Sequence, residues 1–271
     1  MHFGATLRLL RIESGLSLRD LARRLGVSGA YLSRVENGLD AAPTPARLEV
    51  MAREIGVPAT LLMDLAHRVS PLVVDYVEQV PEAGTLFLEI AHRRLDAGQI
   101  TALRTVLNER FPGVEAVAPR SIPTLSDLLT MDRVVLHLTC SGMEDALDVA
   151  AGRLAEAFPM TPSPAIVSAL SKREAEVSSA VGGGVAVPCV HVAGAGPAAA
   201  LITLDAPLRY DTPDGRPLRL IIILMGAPGG DRLLRLAHIA RLASRGLADQ
   251  LVPMDAPARV LSRLALLEAL G

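Results

Sequence analysis

Chemistry in this 271-residue chain would concentrate at a few places: two cysteines, six histidines and one run of three glycines. Cys189 and His191 stand two residues apart, shortly after Gly182, Gly183 and Gly184. A Cys-x-His pair supplies two metal ligands. A closed site needs more, and neither Cys189 nor Cys140 has further ligands at metal-binding spacing, so no metal and no disulfide framework is expected. Three uses of Cys189 stay open: a small buried apolar side chain, a reactive thiol activated by nearby positive charge, or a neighbour of a working His191. Along a strand, residues 189 and 191 would face the same side. The glycines suit a tight turn as well as an anion cradle.

The second concentration of chemistry is positive charge near the start. Residues 1 to 70 hold nine arginines and seven acids, 9 − 7 = +2, whereas the remainder carries 18 − 22 = −4. Such asymmetry favours the N-terminal part as a nucleic-acid face. The elements that would present it are legible in residues 17 to 38. Ser17 with Asp20 three residues on has capping-box spacing, and Leu21, Ala22 and Leu25 then share one helical face. Gly26 stops that helix, Val27 points inward, Ser28 caps a second helix, and Leu32 and Val35 give it a buried side. Ala22 lets the two axes cross closely, and Gly38 after Asn37 supplies a left-handed stop.

This pattern resembles the helix-turn-helix of the Cro/C1 (XRE) repressor family over roughly residues 4 to 66, with helices at 3–13, 44–55 and 58–66 around the central pair. Val35-Glu36-Asn37-Gly38 is similar to that family's V/I-E-N-G signature. The resemblance implies that the second helix of the pair lies in the major groove of duplex DNA. By position, Ser28, Gly29, Ala30, Ser33 and Arg34 then face base edges, with Tyr31 beside them and Ser17 and Leu18 near the backbone. Arg34 is the candidate for a bidentate contact to guanine. Gly29 and Ala30 carry no donors, and Leu18 stands where the family often has a phosphate-gripping glutamine, so direct readout should be thin.

Half of the residues are apolar, enough for a core in each of about two domains. The longest apolar run, Leu220 to Met225, cannot span a membrane, and the N-terminus lacks a signal-peptide pattern, so a cytoplasmic protein with no membrane partner is expected. From Val73 to Leu107, apolar residues at 73, 77, 80, 86, 90, 95, 100, 103 and 107 recur at helical spacing, punctuated by Pro81 and Pro112. They predict two or three helices that either cap the first domain or form a homodimer seam, with a core role as the default. The expected division is 1–69 for DNA binding, 70–112 for a helical connector, 113–123 for a linker, and 124–271 for a second domain.

That second domain reads as strands alternating with helices. A short helix ends at 127–129, a strand spans 134–138, and a helix spans 141–158, opened by Ser141 with Glu144 three residues on. A helix at 166–177 follows, then a short strand after the glycines, buried strands at 198–204 and 218–225, and helices at 231–244 and 256–270. The fold class expected is an all-α N-terminal domain and connector followed by an α/β sandwich on a mixed sheet.

The run Arg173-Glu174, then small residues and glycines, then Gly184-Val185-Ala186-Val187-Pro188 resembles the EIIA domain of the fructose/mannitol branch of the bacterial phosphotransferase system, over about residues 124 to 270. In that family the residue after the proline is a histidine that accepts a phosphoryl group from the carrier protein HPr; here it is Cys189. A second family histidine falls on Arg232, while the arginine of the pair is retained as Arg173. The resemblance thus implies a non-enzymatic, degenerate site at Arg173, Cys189, His191 and Arg232. It would bind a phosphotransferase-system protein or a phosphate-bearing small molecule without cofactor. The alternative is a phosphoacceptor protein using His191 or Cys189. The whole is expected to be a dimeric bacterial transcriptional regulator.

Overall fold

The computed structural model describes residues 3–69, 71–111, 124–158, 161–192 and 195–270. The linker expected at 113–123 lies outside them. The first five helices are α1 (Phe3–Glu13), α2 (Leu18–Arg24), α3 (Gly29–Glu36), α4 (Pro45–Ile55) and α5 (Ala59–Leu65). Ser17 Oγ accepts from the Asp20 amide at 3.1 Å and Ser28 Oγ from the Tyr31 amide at 3.1 Å, so both predicted caps form. Gly26 and Gly38 take φ of 65° and 70°, the left-handed stops that end α2 and α3. A Cβ on Gly4 would lie 2.2 Å from the Val35 carbonyl oxygen, so α1 crosses the end of α3 at a distance only glycine allows.

Three helices follow: α6 (Pro71–Gln79), α7 (Pro81–His92) and α8 (Ala97–Arg110), the last opened by a capping box between Asp96 and Gln99. Their periodic apolar residues do not fill a core. Val73, Leu86, Leu103 and Leu107 are exposed and Val77, Val80, Ile90, Leu95 and Ile100 only half-buried, which corrects the default expectation for this stripe. The reason is that helical period reports a shared face, not what covers it.

The C-terminal part is a mixed sheet of β1 (Val134–Leu138), β2 (Ala180–Gly182), β3 (Val185–Ala186), β4 (Cys189–Val190), β5 (Ala198–Leu208) and β6 (Leu218–Met225). The order is β1-β5-β6-β3-β2, with β4 also pairing β6. The pairs β1/β5, β3/β6 and β4/β6 are parallel, and β5/β6 and β2/β3 antiparallel. One face packs on α9 (Met143–Ala157) and α10 (Ser163–Glu176), the other on α11 (Gly230–Ser244), α12 (Leu247–Leu251) and α13 (Pro257–Leu270). Strand alternation sorts the residues: Leu220, Ile222 and Leu224 face α11, while Ile221, Ile223 and Met225 face α9 and α10.

Several local expectations are corrected. Residues 126–128 form a turn rather than a helix end. Ser141 binds the Asp145 carboxylate through its amide (2.8 Å) and hydroxyl (2.6 Å), and Gly142 takes the cap position, so α9 starts at Met143, one residue later than a Ser141 cap with Glu144 suggests. The glycines turn a hairpin, β2 to β3, with φ of 90°, 64° and 73° at Gly182, Gly183 and Gly184. A Cβ on Gly183 would lie 2.4 Å from the Ala243 carbonyl, so this turn is pressed against α11. The expected core of the helix-turn-helix part is not separate: one apolar cluster runs from Leu7 and Leu62 through Leu236 and Ile239 of α11 to Leu264 of α13, while a second fills the opposite sheet face under α9 and α10.

Candidate functional site

The first candidate surface is the start of α3. Ser28, Ala30 and Arg34 are exposed, with Gly29, Tyr31 and Ser33 half-buried beside them. The scaffold beneath is rigid. Arg11 Nε and Nη2 donate to the two oxygens of Glu36 at 2.6 and 2.8 Å, and Arg11 Nη1 reaches the Leu16 carbonyl at 2.8 Å. Both charges are buried and paired bidentately, so the acid of the V-E-N-G run anchors α3 to α1.

Arg34 is not idle in this state. Its Nε and Nη2 donate to Asp40 at 3.0 and 2.6 Å, which raises the guanidinium pKa and holds the Asp40 carboxyl below the usual carboxylate range. The Ser33 carbonyl accepts from Asn37 Nδ2 at 2.8 Å. Arg47 on α4 sits over the Tyr31 ring, 5.3 Å from its centroid, and donates to its hydroxyl at 3.3 Å. Ser17 exposes its hydroxyl at the start of α2, bonded to Asp20, whereas Leu18 packs against the apolar cluster and faces Gly29. Asp40 and Arg47 carry no motif of their own; only their distance from Arg34 and Tyr31 identifies them.

The second candidate site lies under the sheet. Arg173 leaves the last turn of α10, Arg232 the first turn of α11, and Cys189 begins β4. Between the arginines stands Glu13, the last residue of α1. Its Oε1 accepts from Arg173 Nη2 at 3.0 Å and Nε at 3.3 Å, and its Oε2 pairs with Arg232 Nη2 at 2.5 Å. Arg232 Nη1 also donates to the Gly226 carbonyl at 3.0 Å. The side chains of Glu13, Arg232 and Arg173 are 5%, 11% and 20% exposed. The remaining cavity, lined by Leu9, Glu13, Arg173, Val187, Cys189 and Leu236 among others, is about 10 Å³, room for one water at most.

Burial pushes the Cys189 thiol pKa up, and the Glu13 carboxylate adds to the rise, outweighing Arg232 and Arg173. Among the described residues the thiol donates to the Val187 carbonyl, at 3.6 Å. This is the opposite of an activated thiolate. His191 is exposed, lies past the end of β4 at Val190 and does not line the cavity beside Cys189.

Two functional candidates carried no readable motif. Glu13 has one weak signal, a negative charge at a helix C-terminus, where the backbone dipole disfavours it unless cations are near. The other is His238, buried on α11 with its Nδ1 2.8 Å from Arg241 Nη2. Burial, then Arg241 and Arg245, lower its pKa to about 4. The same two arginines pair with Asp64 of α5 at 3.6 and 2.9 Å, a second ionic contact between the helix-turn-helix part and α11.

Comparison with known proteins agrees with both halves. Residues 2–65 match the model described as "Helix-turn-helix domain", and residues 127–262 match "Phosphoenolpyruvate-dependent sugar phosphotransferase system, EIIA 2". The chain is 40% identical over 81 residues to the HTH-type transcriptional repressor RghR of Bacillus subtilis, covering 30% of this chain. It spans 54% of the length of that relative. It is 31% identical over 121 residues to a nitrogen regulatory protein of Bradyrhizobium diazoefficiens, covering 44% of this chain and 78% of the relative. The nitrogen regulatory protein IIA-Ntr of Neisseria meningitidis superposes with a TM-score of 0.47 at 25% identity, over 51% of this chain and 97% of that one. The second match takes in 136 of 271 residues, and the chain belongs to the EIIA 2 family of the phosphoenolpyruvate-dependent sugar phosphotransferase system, carrying a helix-turn-helix domain ahead of it.

Proposed function

We propose that the protein is a transcriptional regulator that acts in the cytoplasm by binding, not by turnover. Residues 1–69 hold operator DNA, residues 70–112 form a homodimer seam, and residues 124–271 form the responding domain. The carrying observation is the open face of α3: Ser28 at its cap, Ala30 in its first turn and Arg34 in its last face solvent while α1 and α5 of the same unit are packed on α11. The relatives bearing repressor and nitrogen-regulatory names support the same pairing of DNA binding with an EIIA-type domain. Selection of duplexes from a random pool by the full-length chain should enrich a two-fold symmetric site, its half-sites about one helical turn apart. Enrichment of nothing, or of single half-sites by a monomer, would count against this reading.

The responding domain is read as a binder of a phosphotransferase-system protein or a phosphate-bearing small molecule, through Arg173 and Arg232. Covalent phosphorylation is the weaker reading. A neutral, buried Cys189 has no access to a donor, and His191 is exposed and lines neither cavity that borders the arginines. Incubation with phosphorylated HPr should leave the chain unlabelled; acid-labile labelling abolished by His191→Ala would reverse this.

A further inference from the structure

We infer that Arg173 and Arg232 form an oxyanion site whose resident ligand is the protein's own Glu13, so that a phosphate group and the docked end of α1 exclude each other. The inference rests on the reading of the C-terminal part as a responding domain and adds what it responds with. Three observations carry it. First, Glu13 reaches Arg173 from a helix 160 residues away in sequence and bridges the two guanidinium groups, and the cavity left beside Glu13, Arg173 and Cys189 is about 10 Å³, too small for a second anion on that side. Second, the carboxylate leaves the pair under-used. Arg173 Nη1 and Arg232 Nε are buried and have no acceptor among the described residues. A carboxylate has two oxygens, already engaged by three donors. A phosphate monoester presents three terminal oxygens and up to two negative charges, a closer match to two guanidinium groups.

Third, the other acid in the site is already committed. Glu174 accepts from the Tyr210 hydroxyl and from the Ser179 amide, the latter at 2.8 Å, so it does not compete for the arginines. With Glu13 in place one carboxylate pairs with both arginines; with Glu13 withdrawn both lose it. An incoming dianion therefore gains what the carboxylate gives up. The exchange has a structural consequence, because Glu13 is the end of α1 and Leu9, one turn earlier, lines the same cavity. Displacing the carboxylate loosens α1 from α11, leaving the Asp64 contact with Arg241 and Arg245 as the remaining ionic tie.

The test uses inorganic phosphate on the full chain, with chloride at equal ionic strength as control. Phosphate should bind Glu13→Gln at least tenfold more tightly than wild type by calorimetry, and raise its melting temperature by several degrees more. In wild type, saturating phosphate should speed amide exchange at residues 9–13 at least tenfold. This second readout stands even if the variant is too unstable to titrate. Equal phosphate affinity in wild type and Glu13→Gln, with unchanged exchange at 9–13, would overturn the exclusion while leaving the oxyanion site intact. Binding by neither protein, with unchanged exchange in wild type, would overturn the site itself and with it the phosphate-ligand reading of the domain.

Discussion

Under the proposed function, Arg34 has to let go of Asp40 before it can meet DNA. The pair is exposed, so its attraction is screened and small, yet it holds the guanidinium in a geometry made for a carboxylate, which is also the geometry that suits guanine. In that reading Asp40 is a placeholder that orients Arg34 and, as an acid at the interface, repels phosphate. Arg34→Ala should weaken binding to the selected site by about 1–3 kcal/mol and relax preference at one base pair per half-site. Asp40→Asn should strengthen duplex binding several-fold by removing a negative charge from the interface and freeing Arg34. Titration of fluorescent duplexes at fixed salt checks both, and an Asp40→Asn variant that binds more weakly would show that the orienting role outweighs the competition.

At the scale of elements, two features decide how the helices sit. The first is the crossing of α1 on α3. Gly4→Ala forces a methyl group to within 2.2 Å of the Val35 carbonyl oxygen, and backbone on both sides leaves little to yield. A loss of roughly 1–3 kcal/mol is expected, the usual cost of overpacking, measured as a lower urea midpoint. The second is the connector. Leu86, Phe87, Leu88, Leu103, Val106 and Leu107 are 45–61% exposed, an apolar load that a single chain has no reason to carry on helices. The full-length protein should sediment as a dimer, and Leu103→Glu with Leu107→Glu should shift it towards monomer with unchanged circular dichroism. A wild-type monomer at micromolar concentration would remove the seam from residues 70–112.

For the whole molecule, α11 is the part that joins everything. It packs on the sheet, touches α1 and α5, carries Arg232, His238 and Arg241, and is capped by Arg245. His238 faces Arg241 and Arg245 there, with Asp64 opposite from α5. Its pKa is about 4 when folded and about 6.5 when unfolded, so the unfolded chain takes up a proton that the folded chain refuses. The stability due to the neutral ring is full above pH 6.5 and lost as pH falls from there towards 4. His238→Gln should flatten the fall in melting temperature over that window. If wild type and variant lose stability in parallel between pH 6.5 and 4, the histidine is not the cause.

The sequence alone determined the features whose cause is local. Ser17 and Ser28 cap helices because their hydroxyls reach amides three residues on, and Gly26 and Gly38 stop them because only glycine enters the left-handed region at no cost. The alternation of strands 198–204 and 218–225 with helices is written in hydrophobic period, and the family motifs around residues 35–38 and 173–188 are contiguous strings. What lay beyond it was pairing across long separations. Nothing near Glu13 announces Arg173, 160 positions later, and nothing near Asp64 announces Arg245, 181 positions later. Period could say that the stripe from Val73 to Leu107 shares a face but not that the face is left uncovered. That His191 falls beyond a strand follows from β4 being two residues long, a length set by its pairing with β6. Tertiary structure decided these points because a contact between distant residues depends on how whole elements pack, and packing is a property of the assembled core rather than of any segment within it.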